Sequence, residues 1–139
     1  MRYIDSLEGV SVPMLAGFFV GWPKPPVAET HLKILRQSDY FLLAVDDESS
    51  KVVGFINAIS DRIMSAYIPL LEVLPEYKNQ GIGSELARRM IDHYRELYMI
   101  DLTCNKETQP FYERLGMQKM TMMMIRNFDR QACASGENE

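Results

Sequence analysis

The chain has 139 residues, enough for one domain with a real core, and its 47% apolar and 24% charged residues are ordinary for a soluble globular protein. A net charge of -4 and an isoelectric point near 5.2 argue against a nucleic-acid binder and mildly favour a cationic partner. Cys104 and Cys133 are too few for a disulfide framework or a structural zinc site, so free thiols and no metal are expected.

In chain order, residues 2–5 suit a short first strand. Residues 14–20 are apolar but far too short to span a bilayer, and they lack a charged leader and a cleavage site. No membrane association and a cytoplasmic location are therefore expected. Gly17, Gly21, Pro23, Pro25 and Pro26 break residues 14–27 into short helical turns and a loop. Residues 28–37 have helical spacing, with Leu32, Ile34 and Leu35 on one side and Lys33 and Arg36 outside. Two β-rich runs, 41–45 and 52–59, flank the polar turn 46–51 and predict a hairpin. A third run, 66–74, completes an antiparallel meander. Pro69 inside it removes a ladder donor, so that strand must be bulged or locally unpaired there.

A helix is expected over 82–98, with Ile82, Leu86, Met90, Tyr94 and Tyr98 in one apolar stripe and Glu85, Arg88, Arg89, Asp92 and Arg95 opposite. Residues 99–104 read as a strand, 107–115 as a short helix ended by Gly116, and 117–125 as a final strand. Five methionines fall on both faces of that last strand, which predicts a buried strand or a dimer seam, the core being the safer choice. The whole is an α+β fold: a single-domain, mixed, mostly antiparallel sheet flanked by helices, over residues 1–128. Residues 129–139 are expected to fray as a flexible tail.

The stretch VLPEYKNQGIGSELA, residues 73–87, joins a strand to a helix through two glycines. The first amides of a helix have no intrahelical partners, the helix dipole adds positive charge there, and glycines allow close backbone approach. The amides of Asn79, Gln80, Gly81, Ile82, Gly83 and Ser84 could cradle a pyrophosphate, with Lys78 nearby and the Ser84 hydroxyl as a further donor. A bare tight turn is the bland alternative. A nucleotide-binding domain is disfavoured, because no Ser or Thr follows a lysine as a P-loop requires.

The segment resembles the acyl-CoA signature of the GCN5-related N-acetyltransferase superfamily, Gln/Arg-x-x-Gly-x-Gly/Ala behind a strand ending Val-x-Pro. Val73, Leu74 and Pro75 precede Lys78-Asn79-Gln80-Gly81-Ile82-Gly83 here. A second resemblance is Asn105 followed by Phe111-Tyr112 and the helix end Leu115-Gly116-Met117. Lys78 departs from the pattern by replacing Gln or Arg, which keeps a cation and loses the planar fork.

The resemblance implies direct transfer of acetyl from acetyl-CoA to a primary amine in a ternary complex, with acetyl-CoA as cosubstrate. It implies cofactor contacts along Leu71, Val73 and Leu74, with the Val73 amide as candidate oxyanion donor, and at Lys78, the glycine corner, Asn105 and Tyr112. A lysine-like amine, with a pKa of about 10.4, needs a base or water relay at neutral pH. Glu72 is one candidate base, although strict alternation puts it opposite Tyr67, Leu71 and Val73, and a bulge at Pro69 would re-aim it. Tyr67, acting through water, is the other. Tyr112 matches the residue that returns a proton to the thiolate. Phe18, Phe19 and Trp22 fall where the family lines its acceptor pocket. Cys104 reads as a small core residue, and His31 and His93 as solvated helix residues. The acceptor, small molecule or protein, and the choice between monomer and homodimer stay open. An acyl-CoA-binding regulatory module without catalysis is the alternative function.

Overall fold

The structure is a computed structural model and describes residues 1–134; residues 135–139 of the expected tail lie outside the described residues. Five strands, β1 (Arg2–Ile4), β2 (Tyr40–Val45), β3 (Val52–Ser60), β4 (Ser65–Val73) and β5 (Met99–Leu102), form one sheet in sequence order. β1 to β4 are antiparallel neighbours, and β5 runs parallel to β4. Helices α1 (Ala28–Gln37), α2 (Ile82–His93) and α3 (Gln109–Glu113) complete the mixed, mostly antiparallel fold that the sequence predicts.

The two faces of β3 separate the helices. Gly54 points to α2: a Cβ there would lie 3.1 Å from Ile82 Cγ2 and 3.2 Å from Leu86 Cδ1, so the bare glycine lets both side chains press on the sheet, and a methyl would make them give by a few tenths of an ångström. Phe55 points the other way, into an aromatic cluster with Phe18, Phe19 and His31 of α1 and the loop before it. Leu35, Leu43, Ile56, Leu86 and Met90 are fully buried between these layers.

Pro69 is accommodated by a bulge. Ile59 pairs with Tyr67, but Asn57 pairs with Leu70, so β4 carries one residue more than β3 across this step. The extra residue flips the alternation beyond it. Tyr67 and Glu72 thereby come to the same side of the sheet, the α1 side, because their partners Ile59 and Phe55 are two strand periods apart.

Several elements differ from expectation. α2 ends at His93 and continues as turns, with the Leu97 N–H donating to Tyr94 O, so the helical period never reaches Tyr98, which is 86% exposed. β5 stops at Leu102, and the helix expected over 107–115 is a 3-10 turn, Lys106–Thr108, leading into α3. Gly116 does end it with a positive φ of 96°. The final strand does not form. Residues 117–125 form no regular element, and Met117 and Met122 line a small cavity of about 120 Å³ together with Leu102 and Thr103. Apolar residues on both faces are not enough for a strand: the outer edge of β5 is left unpaired by this segment, and Met120, Met123 and Ile125 stay exposed. Beyond them, Phe128–Arg130 form a 3-10 turn, and the Gln131 amide oxygen accepts from the Lys24 N–H at 2.8 Å.

His31 is not solvated. It is 1% exposed, because the inner stripe of α1 is His31 and Leu35 rather than Leu32 and Ile34. His93 is exposed and stacks on Tyr40 with ring centroids 3.6 Å apart.

Candidate active site

The parallel β4–β5 ladder spans only Ser65 to Ile68 against Met99 to Leu102. Past it the strands separate, and a cleft of about 840 Å³ opens between residues 69–73 on one wall and 102–105 on the other. The bond from Leu74 N–H to Val53 O (2.8 Å) makes Gly54 and Val73 a non-hydrogen-bonded pair. The Val73 N–H, and by alternation that of Leu71, therefore points away from β3 to the side where no further strand pairs. Leu71 and Val73 line the cleft; Leu74, expected there, is buried in the core beside Gly17.

Below this free edge the chain turns through Pro75–Tyr77 into α2. Asn79 (φ 64°) and Gly81 (φ 82°) both take left-handed backbone, and Gly81 occupies the N-cap of α2. A Cβ on Gly81 would meet nothing within 4 Å, and one on Gly83 would only touch Val73 and Phe111. Among the described residues no side chain caps this helix, which leaves its first amides, at Ile82, Gly83 and Ser84, open. Lys78 lines the cleft at this end; Asn79, Gln80 and Ser84 are exposed at the corner outside it. The arrangement can take a diphosphate at the corner and an extended arm along β4.

On the opposite wall stand Thr103, Cys104, Asn105, Thr108 and Tyr112. Cys104 is thus a cleft residue and not a core one, because β5 has already ended. The Tyr112 phenol is pushed up to about 12, first by burial and then by the neighbouring Cys104 thiol, so it keeps its proton at neutral pH. The Asn105 backbone carbonyl accepts from the Thr108 N–H at 3.0 Å, while its side chain makes no cap and faces the cleft. Tyr67 lies outside the lining; its hydroxyl is 3.1 Å from Thr103 Oγ1.

Glu72 enters the cleft from the α1 side. Its carboxylate accepts from the Phe19 N–H at 2.8 Å and the Val20 N–H at 3.2 Å. The positive φ of Phe19 (64°) presents the two successive amides to one carboxylate. Two N–H bonds leave lone pairs on both oxygens for a third group. Phe18 and Phe19 themselves turn inward and pack with His31, so Val20 and Trp22 line the cleft in their place. Burial lowers His31 to about 4, and neither ring nitrogen has a partner among the described residues. Arg126, Phe128, Arg130 and Gln131 line the same cleft. Their position was hidden in the sequence, where they belong to a segment with no periodic signal.

The model of the acetyltransferase (GNAT) family matches residues 13–117. An uncharacterized N-acetyltransferase, ycf52 of Pyropia yezoensis, is 30% identical over 103 residues, which is 72% of this chain and 59% of that protein. GCN5-related N-acetyltransferase 2, chloroplastic, of Arabidopsis thaliana is 27% identical over 120 residues, 71% of this chain and 46% of that protein. The chain spans about half the length of the curated relatives it matches. A solved structure assigned as an acetyltransferase of Deinococcus radiodurans R1 is 46% identical with a TM-score of 0.91, covering 94% of this chain and 91% of that one. The split sheet, the open α2 terminus and these matches agree: the chain belongs to the GNAT acetyltransferase family.

Proposed function

We propose that this chain transfers the acetyl group of acetyl-CoA directly to a primary amine within a ternary complex. The observation that carries the reading is the unpaired edge of β4, which runs from the open α2 terminus into a cleft holding Glu72 and Tyr112. Free N–H groups at Ile82, Gly83 and Ser84, with Lys78, suit a diphosphate, and the edge amides of Leu71 and Val73 suit an amide-bearing arm.

The chain's own groups divide the proton work. An amine of pKa about 10.4 reaches the cleft protonated, and Glu72 is the carboxylate there to take its proton, directly or through water. The freed lone pair attacks the thioester carbonyl while the Val73 N–H donates to the oxygen that gains charge. The carbon–sulfur bond then breaks, and Tyr112, protonated at neutral pH, returns a proton to the sulfur. The nitrogen gives up its second proton through water to the Tyr112 phenolate, and Glu72 releases its own to solvent, so the products are an amide, free CoA and one proton. Tyr67 keeps a positioning part through Thr103 on the far wall.

The test is CoA thiol release from acetyl-CoA across an amine panel, for the unaltered chain and for Glu72→Gln. Release with at least one amine, reduced by roughly 10²-fold or more in the variant, is expected. Tight CoA binding with no release against any amine would favour a non-catalytic acyl-CoA-binding module instead.

A further inference from the structure

The acidity of the chain as a whole is reversed inside the cleft. Against a net charge of -4, the residues lining the cleft include three cations, Lys78, Arg126 and Arg130, and a single carboxylate, Glu72. Lys78 belongs to the diphosphate corner. The two arginines belong to the segment that the turn Phe128–Arg130 and the bond from the Lys24 N–H to Gln131 (2.8 Å) tie to the loop carrying Trp22. That loop is continuous with Glu72: Trp22 packs on Phe19 with centroids 4.9 Å apart, and Phe19 donates its N–H to the Glu72 carboxylate.

Among the described residues neither guanidinium has a carboxylate partner. Arg126 reaches only the carbonyl of Ile125 at 3.3 Å, and Asp129, the acid between the two, does not line the cleft. Two unpaired forks facing one cavity are suited to a carboxylate or a phosphate, which each can grip bidentately.

We infer that the acceptor is an amine that also carries an anionic group, held with its amine at Glu72 and its anion at Arg126 and Arg130. This rests on the acetyltransferase reading and narrows it. Trp22 and Phe128, which line the same cleft, supply apolar surface for the part of the acceptor that joins the two groups. The shared chemistry of the anion is a carboxylate or a phosphate, and plain alkylamines or polyamines, attractive on net charge alone, are disfavoured by the two cations.

The test is calorimetric binding to the CoA-saturated chain of ω-amino carboxylates of increasing length, aminoalkyl phosphates, and the matching alkylamines. One good charge-assisted contact predicts a preference of about tenfold or more for an anionic member over its plain amine. Which anionic series leads separates carboxylate from phosphate. The exposed double variant Arg126→Gln, Arg130→Gln is expected to erase the preference while leaving CoA affinity within about twofold. Equal binding of anionic and plain amines, or a preference that survives the double variant, overturns the inference. So does a double variant that loses CoA affinity and not acceptor affinity, since the arginines would then serve the cofactor's phosphates. Failure of the unaltered chain to bind CoA would instead strike the acetyltransferase reading.

Discussion

Protonating His31 is expected to cost the fold about 3 kcal/mol. The imidazole is 1% exposed, wedged among Phe18, Phe19 and Phe55, with no partner on either nitrogen among the described residues. Burial moves it from 6.5 to about 4, and at 1.36 kcal/mol for each pH unit the difference amounts to about 3 kcal/mol. The pKa is lower in the folded chain, so the unfolded chain binds the proton first. The contribution is therefore complete above about pH 6.5 and is lost as pH falls toward 4. Carboxylates also lose stability in acid. Asp61, held low by the N–H groups of Ile63, Met64 and Ser65, and Glu85, held at about 2 by Arg88 and then Arg89, are examples. They are common to the unaltered chain and to His31→Leu, so the difference between the two isolates the imidazole. Urea unfolding of both proteins from pH 7 to pH 4 is the assay. The unaltered chain should lose about 3 kcal/mol more than the variant over this range. A difference that stays flat with pH would refute the reasoning, whatever its constant offset from repacking. Because Phe19 also holds Glu72 through its N–H, turnover should decline reversibly over the same window.

Further outcomes follow from the same geometry. Tyr112→Phe should lower kcat by about 10²-fold with little change in the KM for acetyl-CoA, measured by thiol release. Since the phenol is pushed up to about 12, the unaltered chain should show no alkaline loss from this group until pH rises through that value. Gly54→Ala should cost roughly 1–3 kcal/mol in unfolding, because the new methyl presses on Ile82 and Leu86, and it should weaken acetyl-CoA binding by tilting α2. An unchanged melting temperature would show that α2 does not need this close approach. Met123→Lys, at a site 96% exposed, should change stability by less than about 0.5 kcal/mol; a large loss would mean the segment is buried as a strand after all.

What was legible in the sequence was whatever local rules decide. The polar turn between β2 and β3, the strain at Pro69, the Gly116 stop and the glycine corner each have a cause within a few neighbouring residues. What escaped was set by distant partners. Residues 117–125 carry a two-sided apolar pattern, yet they do not pair with the free edge of β5, and no local signal reports that. His31 looks polar in α1 and is buried because Phe18 and Phe19, a dozen residues earlier, fold over it. The face of Glu72 depended on which strand absorbed the bulge, and only the register of β3 against β4 decides that. Arg126 and Arg130 were invisible as cleft residues because an irregular chain brings them there.

The central claim is that the open terminus of α2 and the free edge of β4 hold acetyl-CoA. Calorimetric titration of acetyl-CoA into the unaltered chain and into Gly81→Glu tests it most directly. A carboxylate at Gly81 would project into open space in front of the free amides, so it should repel the diphosphate. Its positive φ of 82° adds strain of about 1–2 kcal/mol, which a melting curve would register separately. Micromolar binding by the unaltered chain, weakened at least about tenfold in a folded Gly81→Glu, is the predicted result. No binding by the unaltered chain, or equal binding by both, would contradict it.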